Sequence, residues 1–207
     1  MKKLFSIIGK PIAHSLSPIL HDYWFKKYNI NANYSLLNVE EKDLEKVIER
    51  IRNKELDGIN VTLPYKQKII SHIDKLINDA QHTNSVNTIY LDDTNTLVGD
   101  NTDVFGLQAA YLKEILNTKN KKALVIGAGG VSPSVIYSLQ KSGIQDISII
   151  NRTYEKSLFI KKKFNFLKTL KWESLKEQVN KFDIIINATS LGLKNNKDFE
   201  FNFENIK

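Results

Sequence analysis

Lys66 closes N-V-T-L-P-Y-K (60–66), with Asn60 and Thr62 just ahead of it. An amine, an amide and a hydroxyl so close in sequence can exchange a proton and hold a polyhydroxylated molecule. Three other stretches carry compatible groups. G-K-P-I-A-H-S-L-S-P (9–18) supplies the hydroxyls of Ser15 and Ser17, S-V-N-T (85–88) the amide of Asn87, and G-D-N-T-D (99–103) the carboxylate of Asp103. Hydroxyls beside a helix start at Pro18 suit a carboxylate, while amides and an aspartate suit hydroxyl groups. Taken alone, Lys66 reads more plainly as a solvated residue at a helix start. Taken with the others, it completes a set fit for a small, anionic, hydroxyl-rich ligand.

A second group of residues lies downstream. In K-K-A-L-V-I-G-A-G-G-V (121–131) a strand runs into Gly127, Ala128, Gly129, Gly130 and Val131, and a helix opens directly after. Glycines there allow a tight turn and let backbone N–H groups approach a pyrophosphate at the helix N-terminus. The strict G-x-G-x-x-G pattern would place glycine at 132, where this chain has Ser132. The following strand ends in Asn151-Arg152-Thr153. In dinucleotide-binding folds an acid at this tip bonds a ribose 2′-hydroxyl, and an arginine instead takes a 2′-phosphate. No acid stands there, and a guanidinium matches a phosphate with paired hydrogen bonds. NADP is therefore the expected cofactor, with Asn151 and Thr153 as further polar contacts. D-I-I-I-N-A-T-S-L-G (183–192) brings Asn187, Thr189 and Ser190 to the carboxyl edge of the same sheet, where ligands sit.

The elements that must position these groups are legible as alternating patterns. Apolar runs predict strands over 4–9, 34–39, 58–63, 88–91, 123–127, 147–150 and 183–187. Helical periodicity predicts helices over 18–28, 41–53, 66–79, 105–116, 132–142, 154–164 and 174–180. Strands alternating with helices imply right-handed βαβ units and parallel sheets, and solidly apolar strands imply helices on both faces. The expected class is α/β: an N-terminal α/β substrate domain with a mostly parallel sheet, plus a Rossmann-like NADP domain. The expected divisions are a substrate-binding and catalytic domain over 1–103, a bridging helix and linker over 104–120, and the NADP domain over 121–207.

The composition fits such an enzyme and sets other classes aside. The chain has 207 residues, 42% hydrophobic and 26% charged, enough for one large domain or two small ones. No apolar run approaches the roughly 18 residues of a membrane span. The start, M-K-K-L-F-S-I-I-G-K, has an apolar run too short for a signal peptide, so a cytoplasmic protein is expected. There is no cysteine, and the four histidines show no ligand spacing, so no metal site is expected. The net charge of +7 is spread along a chain rich in Lys, Asn and Ile, and no nucleic-acid or membrane partner is expected.

In this order and spacing, G-K-P-I-A-H-S-L-S-P, N-V-T-L-P-Y-K, V-N-T, G-D-N-T-D, G-A-G-G, N-R-T and N-A-T-S-L-G resemble shikimate dehydrogenase over residues 5 to about 193. The resemblance implies NADP-linked interconversion of shikimate and 3-dehydroshikimate in aromatic amino acid biosynthesis. Within it, Ser15 and Ser17 would bind the substrate carboxylate. Asn60, Thr62, Asn87 and Asp103 would bind ring hydroxyls, and Lys66, paired with Asp103, would be the acid/base. A free lysine, with pKa about 10.4, is too protonated to be an efficient base. Burial lowers a lysine's pKa and a neighbouring carboxylate raises it.

This chain departs from the family's pattern at Asp22, Asn84, Val104 and 131–134. Family members also continue past N-A-T-S-x-G into a later tyrosine, a glutamine and a terminal helix, whereas this sequence stops at Lys207. A C-terminally incomplete chain is expected. Such a chain would hold the adenosine end of NADP more readily than it positions the nicotinamide. Two alternatives accompany the main reading: a quinate/shikimate dehydrogenase with relaxed cofactor use, and a non-catalytic NADP-binding remnant. A homodimer is allowed for.

Overall fold

The computed structural model describes residues 1–115, 118–192 and 198–199. They form two units, Met1–Thr102 and the chain from Asp103 onward. The α/β class read from the sequence holds in both.

The first unit is built on a six-stranded sheet. Its strands are β1 (Lys3–Gly9), β2 (Ala32–Asn38), β3 (Gly58–Val61), β4 (Lys75–Leu76), β5 (Thr88–Leu91) and β6 (Leu97–Asp100), in the order β2-β1-β3-β5-β6-β4. β1 pairs in parallel with β2 and β3, and β4 with β6, whereas β5 runs antiparallel to β3 and β6. Helices α1 (Ser17–Lys27) and α2 (Leu44–Arg52) take opposite faces. Consecutive residues of β1 show why the strands are apolar throughout. Ile8 packs with Leu44, Val47, Ile48 and Ile51 of α2, while Ile7 packs with Tyr34 and with Phe25 of α1. No residue of α1 is buried, and Ile19, Leu20, Tyr23 and Trp24 are exposed along it.

Two sequence expectations fail here. Residues 66–79 do not form one helix. They form a 3₁₀ turn (Lys68–His72), β4 and the short α3 (Asn78–Thr83). The backbone hydrogen bonds of this segment go to β6 instead: Asp74 N–H donates to the Leu97 carbonyl (3.1 Å) and Ile77 N–H to that of Gly99 (3.0 Å). β6 is not among the strands expected from apolar runs. The turn proper is confined to 92–96, where the Asp92 carboxylate accepts from the amides of Thr94 and Thr96, both at 2.9 Å.

The second unit holds α4 (Asp103–Ala110), β7 (Lys122–Ile126), α5 (Ser132–Lys141), β8 (Asp146–Asn151), α6 (Tyr154–Lys163), β9 (Lys168–Lys171), α7 (Leu175–Gln178) and β10 (Ile184–Asn187). Its all-parallel sheet has the order β10-β7-β8-β9. The strand order therefore reverses between β7 and β10, which is where ligands bind in open α/β sheets. The sequence showed three of these strands. The fourth, β9, is an edge strand of sequence K-T-L-K that lacks the apolar run of its neighbours. The helix expected over 105–116 is α4, which opens earlier at Asp103, followed by a 3₁₀ turn (Leu112–Glu114); Leu116 lies outside the described residues.

Candidate functional site

In the first unit the predicted residues gather at one sheet edge. β1, β3 and β6 end there. β5 runs the other way, so its start, with Asn87 and Thr88, reaches the same edge. The register sets Asn60 beside Thr88 and Thr88 beside Asp100. Backbone bonds tie the four motifs together. Val61 N–H donates to the Asn87 carbonyl (2.9 Å), Asn87 N–H to that of Asp100 (3.0 Å), and Val86 N–H to that of Lys66 (2.8 Å). Gly9 sits where a Cβ would lie 2.6 Å from the Thr62 methyl and 2.9 Å from the Leu63 carbonyl, so glycine lets the end of β1 meet the turn after β3.

The side chains bond one another in two polar groups. Ser15 Oγ donates to Ser17 Oγ at 3.1 Å. Tyr34 O–H donates to Asn60 Oδ1 at 2.6 Å. Asn60 Nδ2 donates to the Asn87 carbonyl (3.1 Å) and to Thr88 Oγ1 (3.2 Å). Thr88 Oγ1 donates to Asn87 Oδ1 (2.9 Å), and Thr102 N–H donates to that oxygen (3.0 Å). Thr62, half-buried, follows β3 directly. Lys66 is only 8% exposed. It precedes a 3₁₀ turn rather than opening an α-helix, so the lysine solvated at a helix start does not describe it. Asp103 follows this edge directly in sequence and opens α4 as the first residue of the second unit.

Sequence reasoning missed Tyr34, His21, Thr88 and Thr102. Tyr34 lies inside an apolar strand, where an aromatic residue reads as core. His21 stacks on its ring at 3.9 Å between centroids and bonds the Ser17 carbonyl through Nδ1 at 2.8 Å. Burial raises the phenol's pKa well above its usual value, against the opposing hydrogen bond from Ser17, so Tyr34 stays neutral and keeps its proton. One departure from the family pattern also finds its reason. Asn84 ends α3 in the left-handed region (φ 49°), which glycine adopts freely and asparagine tolerates.

The second unit places its predicted residues around the β7–α5 turn. Gly127 has φ 112°, and a Cβ there would lie 2.6 Å from the Thr189 methyl and 2.8 Å from the Ala188 carbonyl. Only glycine allows this approach of the β7 and β10 tips. At Gly129 a Cβ would meet only the Ala188 carbonyl at 3.9 Å, so the turn is open on that side. Several polar side chains brace backbone. Asn151 Oδ1 accepts from Ala128 N–H (3.1 Å), and its Nδ2 donates to the Thr153 carbonyl (2.8 Å). Ser132 Oγ donates to the Gly127 carbonyl (2.9 Å) and accepts from Gly129 N–H (3.0 Å), holding the turn where the strict motif has glycine. Asn187 Oδ1 accepts from the amide (2.9 Å) and hydroxyl (2.7 Å) of Thr189. Arg152, Thr153 and Ser190 are exposed, Gly130 and Val131 half-buried.

An open glycine turn, a helix starting beyond it and an exposed arginine with no acid at the β8 tip fit a 2′-phosphorylated dinucleotide. Among the described residues there is no cluster of histidines and acids that could hold a metal, and no helix is long and apolar enough to cross a membrane.

Comparison with known proteins agrees. The shikimate dehydrogenase substrate binding domain matches residues 7–89, and the shikimate / quinate 5-dehydrogenase family matches residues 110–194. The NADP(+) shikimate dehydrogenase of Pelagibacter ubique is 46% identical over 206 residues, covering 100% of this chain and 76% of that protein. The crystal structure of the Aquifex aeolicus shikimate dehydrogenase superposes with a TM-score of 0.90 at 35% identity, again over 100% of this chain and 76% of that one. The Thermus thermophilus enzyme, solved in complex with NADP(H) and shikimate, gives 0.81 at 29% identity over 92% of this chain and 70% of that one. The chain belongs to the shikimate dehydrogenase family.

Proposed function

We propose that this chain catalyses the reversible NADP-linked reduction of 3-dehydroshikimate to shikimate. The carrying observation is the hydrogen-bonded set of serine, tyrosine and asparagine side chains at one sheet edge, beside a lysine only 8% exposed. Ser15 and Ser17 bind the substrate carboxylate. Asn60, Thr62 and Asn87 bind ring hydroxyls, and Asp103, next in sequence to Thr102, adds a carboxylate acceptor for one of them. Lys66 holds the exchanged proton at Nζ. It gives that proton to the C3 carbonyl oxygen in reduction and takes it from the hydroxyl in oxidation. NADPH supplies the hydride in the first direction, and NADP accepts it in the second.

The division of labour follows: residues 1–103 hold substrate, 121–207 hold cofactor and 104–120 join them. Gly127 to Val131 give the pyrophosphate a backbone cradle, Arg152 pairs with the 2′-phosphate and Thr153 lies beside it. Asn151, Asn187 and Thr189 keep the turns in shape, with Ser190 at the same edge. The polar substrate and the soluble dinucleotide suit a cytoplasmic enzyme. The test is shikimate-dependent formation of NADPH by the purified chain, followed by nicotinamide absorbance, with quinate and NAD as comparison reactants. Formation that needs shikimate and prefers NADP supports the proposal. Equal rates with quinate or NAD would move it to the broader family activity.

A further inference from the structure

The proposed site leaves the buried Tyr34 phenol without an assigned task. Its orientation follows from its partners. The Asn87 carbonyl can only accept, so the Asn60 amide must turn Nδ2 toward it, at 3.1 Å. Asn60 Oδ1 then faces Tyr34, and at 2.6 Å the phenol must donate. His21 stacks on the Tyr34 ring at 3.9 Å between centroids and bonds the Ser17 carbonyl through Nδ1 at 2.8 Å. The ring thus stands between the serine assigned to the carboxylate and the amide assigned to ring hydroxyls. Both Asn60 amide protons are spent on Asn87 and Thr88, so Asn60 meets a ligand as an acceptor.

We propose that Tyr34 is a positioning residue whose hydroxyl locks Asn60 as an acceptor for a substrate hydroxyl. The inference rests on the substrate reading above. Tyr34 touches neither substrate nor cofactor. His21, stacked on the ring and bonded to the Ser17 carbonyl, holds the phenol in line.

The experiment is calorimetric titration of shikimate, and separately of NADP, into the 207-residue chain and its Tyr34→Phe, Asn60→Ala and doubly substituted forms. Phenylalanine keeps the ring and its stacking and removes only the hydroxyl. Loss of one such hydrogen bond should weaken shikimate binding about three- to tenfold. NADP affinity and melting temperature should hold. The double variant should lose less than the two single losses multiplied, because Tyr34 acts through Asn60. Unchanged shikimate affinity in Tyr34→Phe overturns the inference. So do a parallel loss of NADP affinity, which marks a general structural role, and losses that simply multiply. A wild-type chain that binds NADP but not shikimate overturns the substrate reading and this inference together, an outcome that the variants alone cannot mimic.

Discussion

At the edge of the six-stranded sheet, Ser15 and Ser17 spend side-chain donors and acceptors on each other, as do Tyr34, Asn60 and Thr88. At the tip of the four-stranded sheet, Asn151, Ser132 and Asn187 spend theirs largely on backbone, and the surface left for a ligand is a glycine turn. The first region is a reader made of side chains, in which each polar atom has an orientation set by the next. The second is a reader made of main chain, with side chains acting as braces. The two should fail differently. One is sensitive to the loss of single polar atoms, and the other to the gain of a single carbon.

The largest effect should come from the side-chain reader. Lys66→Ala should lower turnover about 10²- to 10⁴-fold, the usual contribution of a general acid–base group. Shikimate affinity should stay within roughly tenfold, because the network of serines and amides remains. Steady-state rates together with binding titrations separate the two quantities. Turnover near wild type would assign the proton to another group.

Gly127→Val tests the main-chain reader. The substituent would meet the Thr189 methyl at 2.6 Å, at a backbone φ of 112°. Overpacking costs about 1–3 kcal/mol, and the strained φ adds about 1–3 kcal/mol. Urea unfolding should show a destabilised second unit, and NADP binding should be lost while shikimate binding persists. Next in size is Arg152→Ala. Removing one charged hydrogen-bond donor to phosphate should cost NADP about 1.5–3 kcal/mol of binding. NAD, which has no 2′-phosphate, should bind nearly as before, and fluorescence titration of both cofactors reads the difference.

The smallest effect lies in the scaffold of the first unit. The Arg52 guanidinium, joined by the Leu97 N–H, holds the Asp74 carboxyl at about 2, below the usual carboxylate range. A depressed carboxyl pKa stabilises the fold above the unfolded value near 3.9, and the contribution is lost as pH falls from there through about 2. Asp74→Asn should therefore lower the urea midpoint slightly at pH 7, the pair being solvent-screened. The difference should close as the pH approaches 2, and neither ligand's affinity should move.

Legibility followed the same physical divide. Strands covered on both faces, such as β1, β7 and β8, announced themselves as apolar runs. β9 did not, because an edge strand keeps lysines at its ends. β6 was hidden by Gly99 and Asp100, which read as turn residues, although Gly99 is there to fit under Ile73 and Val86. Ile69, Ile70, Ile73 and Ile77 mimic a helical stripe, but their segment bonds to β6, a choice made by tertiary pairing and invisible to periodicity. In the site, residues with polar side chains in loops were legible. Tyr34 was not, since an aromatic in a strand gives no sign that its hydroxyl donates to Asn60 on another strand. Asn151 and Asn187 were legible as polar residues at strand tips, but which backbone groups they would bond was not.

The central claim is that shikimate is read by side chains of the first unit independently of the cofactor turn. Titrating shikimate and NADP into Ser15→Ala/Ser17→Ala protein tests it most directly. Loss of two hydrogen bonds to a carboxylate, each worth about 1.5–3 kcal/mol, should weaken shikimate at least a hundredfold. NADP affinity should stay within about twofold. Shikimate affinity that survives the double substitution, or an NADP affinity that falls with it, would contradict the account.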